Sequence, residues 1–185
     1  MTVIKCVMFD FGKLSDLEFY RAFQNAYQLQ GVTMGEFFNR LGSVLWIDWD
    51  MVEIRDWLKR RGIVTVLVTN MNPYHAWYIR RKYPPLMAKF DHGMISCEEG
   101  VAKPDPEAWI RPLDCLGFKA EECIFVDDSM ENIEAACRLG IKGWHYNITD
   151  QHYCQNGKLD EERMKFKVFL AVLDSCGILY DKPRP

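Results

Sequence analysis

The sequence lacks any cysteine pattern that would indicate a disulfide framework or a zinc site. Its seven cysteines are an odd number and include no C-x-x-C pair. Several of them fall inside apolar runs, where a thiol behaves as a small hydrophobic group. The four histidines show no metal-ligand spacing. We therefore expect free thiols in a reducing compartment and predict that the protein is cytoplasmic.

The chain also has little that would favour a membrane or a nucleic acid. No apolar run approaches the length of a transmembrane helix, and the first residues do not show the basic start, apolar stretch and cleavage site of a secretory signal. A formal net charge of -3 supplies no general attraction for a polyanion. We predict that the protein binds neither membranes nor nucleic acids.

What the sequence does contain is enough apolar material for one core. Its 185 residues are 49% hydrophobic, which suits one domain over residues 1–185 and is short for two. Short apolar runs rich in Val, Ile and Phe occur at 3–9, 63–68 and 123–126. Such runs are typical of strands buried on both faces of a parallel sheet. Weaker strands are predicted at 92–96 and 142–146.

Amphipathic stretches of helical length lie between these strands. They predict helices at 51–61, 73–83, 106–116 and 130–139, and a last helix over roughly 160–176. Asp105 and Ser129 stand at expected N-cap positions. The alternation of strands and helices predicts an α/β fold with a doubly wound parallel sheet. Two consecutive helical patterns at 17–30 and 34–41 interrupt it and indicate a small helical insertion.

Each of the three strongest strands is followed by a polar residue. Asp10 follows the first, Thr69 the second and Asp127 the third. Taken singly, an Asp after a strand is usually only a cap or turn residue. In an open parallel sheet, however, the carboxyl ends of the strands line the ligand crevice. The sequence therefore predicts that these side chains meet in one site.

Four short motifs in this order resemble the haloacid dehalogenase-like hydrolase superfamily. They are Met8-Phe9-Asp10-Phe11-Gly12, Val68-Thr69-Asn70, Lys103-Pro104-Asp105-Pro106, and Phe125-Val126-Asp127-Asp128-Ser129 with Asn132 following. The third and fourth are the most specific. The resemblance implies a Rossmann-like core, with a helical cap inserted after the first motif at about residues 15–48.

The resemblance also implies a magnesium site. Asp10 would be the nucleophile that attacks phosphorus, giving an aspartyl-phosphate. Mg²⁺ prefers hard oxygen ligands, and Asp10, Asp127 and the backbone carbonyl of Gly12 could supply them, with Asp128 bound directly or through water. Without a cation these carboxylates would repel one another.

Three further residues are implied to bind the phosphoryl oxygens of a small phosphorylated substrate. Lys103 would offset part of the negative charge and hold those oxygens. Thr69 would donate from its hydroxyl and its backbone N–H, with the backbone of Asn70 as a helper. An ordinary solvated lysine and a strand-end threonine are the structural alternatives at positions 103 and 69.

The sequence departs from the family's pattern at Gly12. The family usually carries a second Asp at that position, which protonates the leaving group and then activates water. A positioned acid or base contributes about 10²- to 10⁴-fold in rate, so its absence would slow turnover. Some phosphatase branches resemble this sequence in having Gly there. Asp16, Asp48 and Asp50 are alternative acids, although Asp50 also fits the N-cap of a helix beginning at Met51.

Three functions remain open from the sequence. The first is a magnesium-dependent phosphatase that hydrolyses a small phosphomonoester, such as a sugar phosphate. The second is a catalytically weakened relative with a binding or regulatory role. Gly12 favours it, and so does the predicted cap, which is small for this family. The third is a haloacid dehalogenase, which resembles this chain in its nucleophilic Asp but works without Mg²⁺. Neither the identity of the substrate nor the oligomeric state is predicted.

Overall fold

The computed structural model describes residues 4–10, 31–37, 49–146, 170–171 and 173–178. All five predicted strands are present, each within a few residues of the predicted bounds. They are β1 Cys6–Phe9, β2 Val64–Thr69, β3 His92–Ile95, β4 Cys123–Asp127 and β5 Lys142–His145.

The strands form one parallel sheet in the order β3-β2-β1-β4-β5. The central strand β1 pairs with β2 on one side and with β4 on the other. Strands β2 and β3 therefore lie on one side of β1, and β4 and β5 lie on the other. The direction in which successive strands are added to the sheet reverses at β1. Ligands bind in open α/β sheets at the carboxyl ends of the strands beside such a reversal. The predicted doubly wound sheet is confirmed.

Both faces of the sheet are buried, because alternate residues of each strand point to opposite sides. Cys6 and Met8 of β1 pack into a core with Trp109, while Val7 and Phe9 pack into a second core with other helices. Phe125 continues the first core, and its ring meets that of Trp109 edge to face at 5.3 Å. This double burial explains why the strands are continuous apolar runs in the sequence.

The predicted helices between the strands are confirmed with shifted ends, and two short ones were not predicted. They are α1 Trp49–Arg60, α2 Pro73–Lys82, α3 Pro84–Ala88, α4 Ser96–Glu99, α5 Glu107–Leu116 and α6 Met130–Arg138. The second helix was predicted to end at Tyr83, and two prolines follow that residue. Proline fits the first turn of a helix, however, so α3 begins directly at Pro84.

Three predicted helix caps differ in the structure. Helix α1 begins at Trp49, so Asp50 lies in its first turn and is not its N-cap. The carboxylate of Asp105 accepts the Glu107 N–H at 3.0 Å. In this turn backbone N–H groups bond to carbonyls three residues earlier, which is tighter than an α-helical turn. Helix α5 therefore begins at Glu107, one residue later than predicted. Ser129 holds the N-cap position of α6 without a side-chain capping bond; its backbone N–H donates to Asp127 at 2.7 Å.

Little of the predicted insertion lies within the described residues. Residues 34–37 are helical, as predicted. The start of this helix is capped because the Thr33 hydroxyl accepts the Glu36 N–H at 3.2 Å, and the Glu36 carboxylate accepts the Thr33 N–H at 2.9 Å. The helix predicted at 17–30 and most of the cap at 15–48 lie outside the described residues, so the cap stays a prediction.

The six cysteines in the described ranges are free thiols. None of the helices in those ranges combines the length and the apolar character that crossing a bilayer requires. Of the last predicted helix, residues 170–171 and 173–175 are helical and its earlier part lies outside the description.

Asp91 joins three elements near the start of β3. One of its carboxylate oxygens accepts from Lys59 of α1, and the other accepts the backbone N–H and the hydroxyl of Thr65 in β2 at 2.9 and 3.0 Å. Burial raises the pKa of Asp91, but these hydrogen bonds outweigh burial, and the pKa lies below its ordinary value.

This lowered pKa predicts a loss of stability in acid. Because the folded pKa is below the unfolded one, the stabilisation is complete above pH ~4 and disappears as the pH falls through the folded pKa. The carboxylate is partly exposed, so we expect a contribution of at most about 1 kcal/mol after solvent screening. Urea unfolding of wild type and Asp91→Asn between pH 7 and 3 measures it. Parallel curves for the two proteins across that range would contradict the prediction.

Candidate active site

The site lies at the carboxyl edge of the sheet, on the central strands β1 and β4. Asp10 follows β1, and its N–H donates to the Val126 carbonyl of β4 at 3.2 Å. This bond places Asp10 beside Asp127, the last residue of β4, and Asp128 follows directly. Each of the three aspartates offers a carboxylate oxygen, and these oxygens all lie within 4.8 Å of one another. The predicted meeting of the strand ends is confirmed for these carboxylates.

Lys103 reaches this cluster from the loop between α4 and α5. Its ammonium lies 2.6 Å from Oδ1 of Asp10 and 2.6 Å from Oδ2 of Asp127, and only 1% of its side chain is exposed. The ammonium also lies 5.2 Å from the centroid of the Phe125 ring. Buried charges are rare unless they are paired. Lys103 is therefore not the solvated surface lysine that its residue type alone would suggest.

Asn70 holds the backbone of Lys103. Its side-chain amide donates to the Lys103 carbonyl at 2.7 Å, and its side-chain oxygen accepts the Lys103 N–H at 2.8 Å. These two bonds join the end of β2 to the loop that carries the lysine. The side chain of Asn70 thus has a positioning role that sequence reasoning did not find, and its backbone N–H remains the group predicted to bind substrate.

Asp127 is the most firmly held carboxylate of the cluster. Besides Lys103, its oxygens accept the Ser129 N–H at 2.7 Å and the side-chain amide of Asn132 at 3.1 and 3.2 Å. The side chain has no solvent exposure. Asn132 lies in the first turn of α6. In the sequence it is recognisable only as the residue that follows the fourth motif, and its contact with Asp127 was not predicted. These donors fix the direction of the Asp127 carboxylate.

The electrostatics of the cluster favour a bound cation. Three carboxylates face one ammonium, which leaves a formal excess of negative charge. Burial and the neighbouring charges of Asp10 and Asp127 raise the pKa of Asp128, while Lys103 acts in the opposite direction. A set of hard carboxylate oxygens with uncompensated charge fits Mg²⁺. Gly12, the fourth predicted ligand, lies outside the described residues.

Thr69 provides a buried hydroxyl at the end of β2. The residue has no solvent exposure, and within the described part of the chain its hydroxyl has no hydrogen-bond partner. An unpaired buried hydroxyl costs free energy, and a bound ion or ligand is one of the explanations for such a group in a native structure. This observation agrees with the predicted use of Thr69 as a donor to a bound anion.

The alternative acids cannot be placed next to this site. Asp16 and Asp48 lie outside the described residues. The backbone of Asp50 belongs to the first turn of α1. All three residues stay predictions for the proton donor that would replace the acid missing at Gly12.

A comparison with known families matches residues 13–140 to the haloacid dehalogenase-like hydrolases. The chain belongs to this family. The match begins after Asp10, so the position of that residue in the site rests on the sheet geometry and its contact with Lys103. Membership makes the chain a hydrolase and confirms the resemblance on which the site was predicted.

Several curated relatives of this haloacid dehalogenase-like hydrolase are phosphatases. It is 30% identical over 142 residues to the sesquiterpene phosphatase astK of Aspergillus oryzae, covering 77% of this chain and 71% of the relative. It is 35% identical over 88 residues to a glyceraldehyde 3-phosphate phosphatase of Pyrococcus furiosus, covering 46% of this chain and 35% of the relative. The GMP/IMP nucleotidase YrfG of Escherichia coli is 30% identical over 93 residues, covering 50% of this chain and 41% of that protein. The matched region thus covers less than half the length of each of the latter two.

Solved structures show the same fold. A haloacid dehalogenase-family enzyme from Bacteroides thetaiotaomicron, in complex with magnesium and inorganic phosphate, superposes with a TM-score of 0.63 and 19% identity. The superposition covers 86% of this chain and 98% of that one. At this identity the likeness establishes the architecture of the core, and the chemistry must be argued from the residues of this chain.

Proposed function

We propose that this hydrolase is a magnesium-dependent phosphatase that cleaves a small phosphomonoester through an aspartyl-phosphate on Asp10. The observation that carries the proposal is the buried ammonium of Lys103, 2.6 Å from both Asp10 and Asp127, with Asp128 in the same cluster. This arrangement combines a nucleophilic carboxylate, a fixed positive charge and hard ligands for a cation. The phosphatase relatives support the same reaction class.

The residues that would hold Mg²⁺ are Asp10, Asp127 and Asp128, together with the carbonyl predicted at Gly12. When bound, Mg²⁺ would supply positive charge against the phosphoryl oxygens. The carboxylates of this chain provide the oxygen donors within 4.8 Å of one another. Asn132 and the Ser129 N–H keep Asp127 in a fixed orientation, as outer-shell partners of metal ligands generally do.

In the first step a carboxylate oxygen of Asp10 attacks phosphorus. A bond forms between that oxygen and phosphorus, and the bond from phosphorus to the ester oxygen breaks. Lys103 and the hydroxyl of Thr69 stabilise the negative charge on the transferring group. The departing alkoxide takes a proton from water or from an acid supplied by another residue, because Gly12 offers none.

In the second step water attacks the phosphorus of the aspartyl-phosphate. The bond between phosphorus and the Asp10 oxygen breaks, the proton lost by the water passes to the departing phosphate or to solvent, and inorganic phosphate and the carboxylate are released. This step also lacks the base that the family usually supplies at position 12. We therefore propose that the hydrolysis of the aspartyl-phosphate is slow in this chain, by up to about 10²- to 10⁴-fold relative to a site with that base.

The substrate class we propose is a small phosphomonoester, with sugar phosphates as the first candidates. The relatives act on a triose phosphate, a sesquiterpene phosphate and purine nucleotides, according to their names. What these compounds share is a phosphate group. Recognition by Lys103, Thr69 and the carboxylate-bound cation concerns only this shared group.

A second candidate function is a binding or regulatory role without turnover. Gly12 favours it, because a site that forms the aspartyl-phosphate but hydrolyses it poorly would retain its ligand. Carbon-halogen hydrolysis is less supported. That reaction requires no cation, and it would not explain why the adjacent carboxylates of Asp127 and Asp128 both lie in the cluster.

The test of the proposed function is phosphate release from a panel of phosphomonoesters. The panel should contain triose and hexose phosphates, purine nucleotides and an isoprenoid phosphate, each with Mg²⁺ and with EDTA. We expect release from at least one ester with Mg²⁺ and loss of that release with EDTA. Folded protein that releases phosphate from none of these esters would favour the binding role, and release unaffected by EDTA would contradict the metal site.

A further inference from the structure

His145 contacts the active-site loop from the neighbouring strand. It is the last residue of β5, is partly buried, and pairs in register with Asp127 of β4. Its Nε2 lies 2.9 Å from the backbone carbonyl oxygen of Asp128. Sequence reasoning gave no histidine a role, because the spacing of the histidines shows no metal-binding pattern.

The chemistry of this contact fixes the direction of the hydrogen bond. A carbonyl oxygen can only accept, so Nε2 of His145 must carry the proton and donate. The next residue of the same segment, Tyr146, donates its backbone N–H to the Asp127 carbonyl at 2.9 Å. The end of β5 therefore binds the carbonyls of two consecutive residues of the carboxylate loop.

The two carboxylates of this loop differ in how they are held. Asp127 is fixed through its side chain by Lys103, Asn132 and the Ser129 N–H. Within the described residues, the Asp128 carboxylate has a hydrogen bond from its own backbone N–H, and the only side chain that donates to this residue is His145, which binds its carbonyl oxygen. Asp128 is an exposed residue next to two like charges. Repulsion would turn its side chain toward solvent unless the backbone kept it in the cluster.

We propose that His145 is a positioning residue that directs the carboxylate of Asp128 toward the cation site. By holding the Asp128 carbonyl against β5, His145 sets the rotation of this residue so that its carboxylate faces Asp10 and Asp127. The cation then meets a third carboxylate already in place. This inference rests on the proposed function, because it assumes that the cluster binds Mg²⁺.

The experiment compares Mg²⁺ affinity, measured by calorimetry without substrate, among wild type, His145→Ala and His145→Gln. One lost hydrogen bond to a loop that carries a metal ligand should weaken Mg²⁺ binding by about 3- to 10-fold in His145→Ala. Gln can reach a similar distance with a neutral N–H donor, and should bring the affinity back to within about twofold of wild type.

His92→Ala is the matched control. His92 is also a partly buried histidine in an edge strand, but it begins β3 at the opposite side of the sheet. We expect it to leave Mg²⁺ affinity unchanged even if it lowers the unfolding temperature. This separates an effect on the site from a general loss of stability. If His145→Ala does not fold, His145→Leu, which keeps more of the bulk, takes its place.

Two results would overturn the inference alone. One is equal Mg²⁺ affinity in wild type and His145→Ala, and the other is a loss that His145→Gln does not restore. Absence of Mg²⁺ binding to the folded wild-type protein would overturn the inference together with the proposed metal site, so the two failures can be told apart.

Discussion

Asp10→Asn is expected to lower the rate of phosphate release by at least about 1000-fold. The amide has nearly the same shape as the carboxylate but is a far poorer nucleophile, and it removes one negative ligand from the cation site. Its oxygen can still lie against the Lys103 ammonium, which is 2.6 Å from the Asp10 carboxylate, so the fold should persist. Steady-state release of phosphate from the best ester of the panel, at saturating Mg²⁺, measures the effect.

Asp105→Asn is a suitable control for this substitution. Asp105 is exposed and lies in the loop that follows Lys103, where it accepts the Glu107 N–H at 3.0 Å. An amide oxygen can accept the same bond, so we expect release within about twofold of wild type, in line with ordinary surface substitutions. Retention of most of the activity by Asp10→Asn would remove Asp10 from the role of nucleophile.

Lys103→Met is expected to have the second largest effect, this time on stability as well as on turnover. The substitution keeps an unbranched side chain that is one atom shorter, but leaves Asp10 and Asp127 buried without their shared ammonium. Breaking a buried ion pair in this way typically costs about 3–5 kcal/mol. Mg²⁺ should restore part of this loss, because the cation and the lysine neutralise the same carboxylates. Urea unfolding with EDTA and with Mg²⁺ measures both effects.

The control for this variant is Lys142→Met. Lys142 is exposed at the start of β5, at the end of the sheet opposite the site, and its substitution should change the free energy of unfolding by no more than about 0.5 kcal/mol. If Lys103→Met were as stable as wild type in EDTA, the buried bridge between the two carboxylates would not exist in solution.

The sheet and the central site could be predicted from the sequence for a physical reason. Strands buried on both faces must be apolar throughout, so the runs before Asp10 and Asp127 stand out in the sequence. A parallel sheet brings the ends of such strands to one edge. The meeting of these carboxylates therefore followed from local patterns alone, before any contact was known.

The features that were not predicted depend on contacts between distant parts of the chain. Asn70 binds the backbone of Lys103 across 33 residues of sequence, and His145 reaches the Asp128 carbonyl across 17. No local period indicates either contact. Helix α3 was missed because Pro84 ends one helix and begins the next. The cap at 15–48 and the carbonyl of Gly12 remain predictions.

The most direct test of the central claim is a search for the phosphorylated Asp10 itself. The enzyme is mixed with Mg²⁺ and its best ester, quenched in acid at successive times, digested and analysed by mass spectrometry. Because Gly12 offers no base for the second step, hydrolysis of the aspartyl-phosphate should be slow, and we predict one phosphoryl group on the peptide that contains Asp10. Phosphate release that proceeds with no phosphoryl group on that peptide at any quench time would contradict the account.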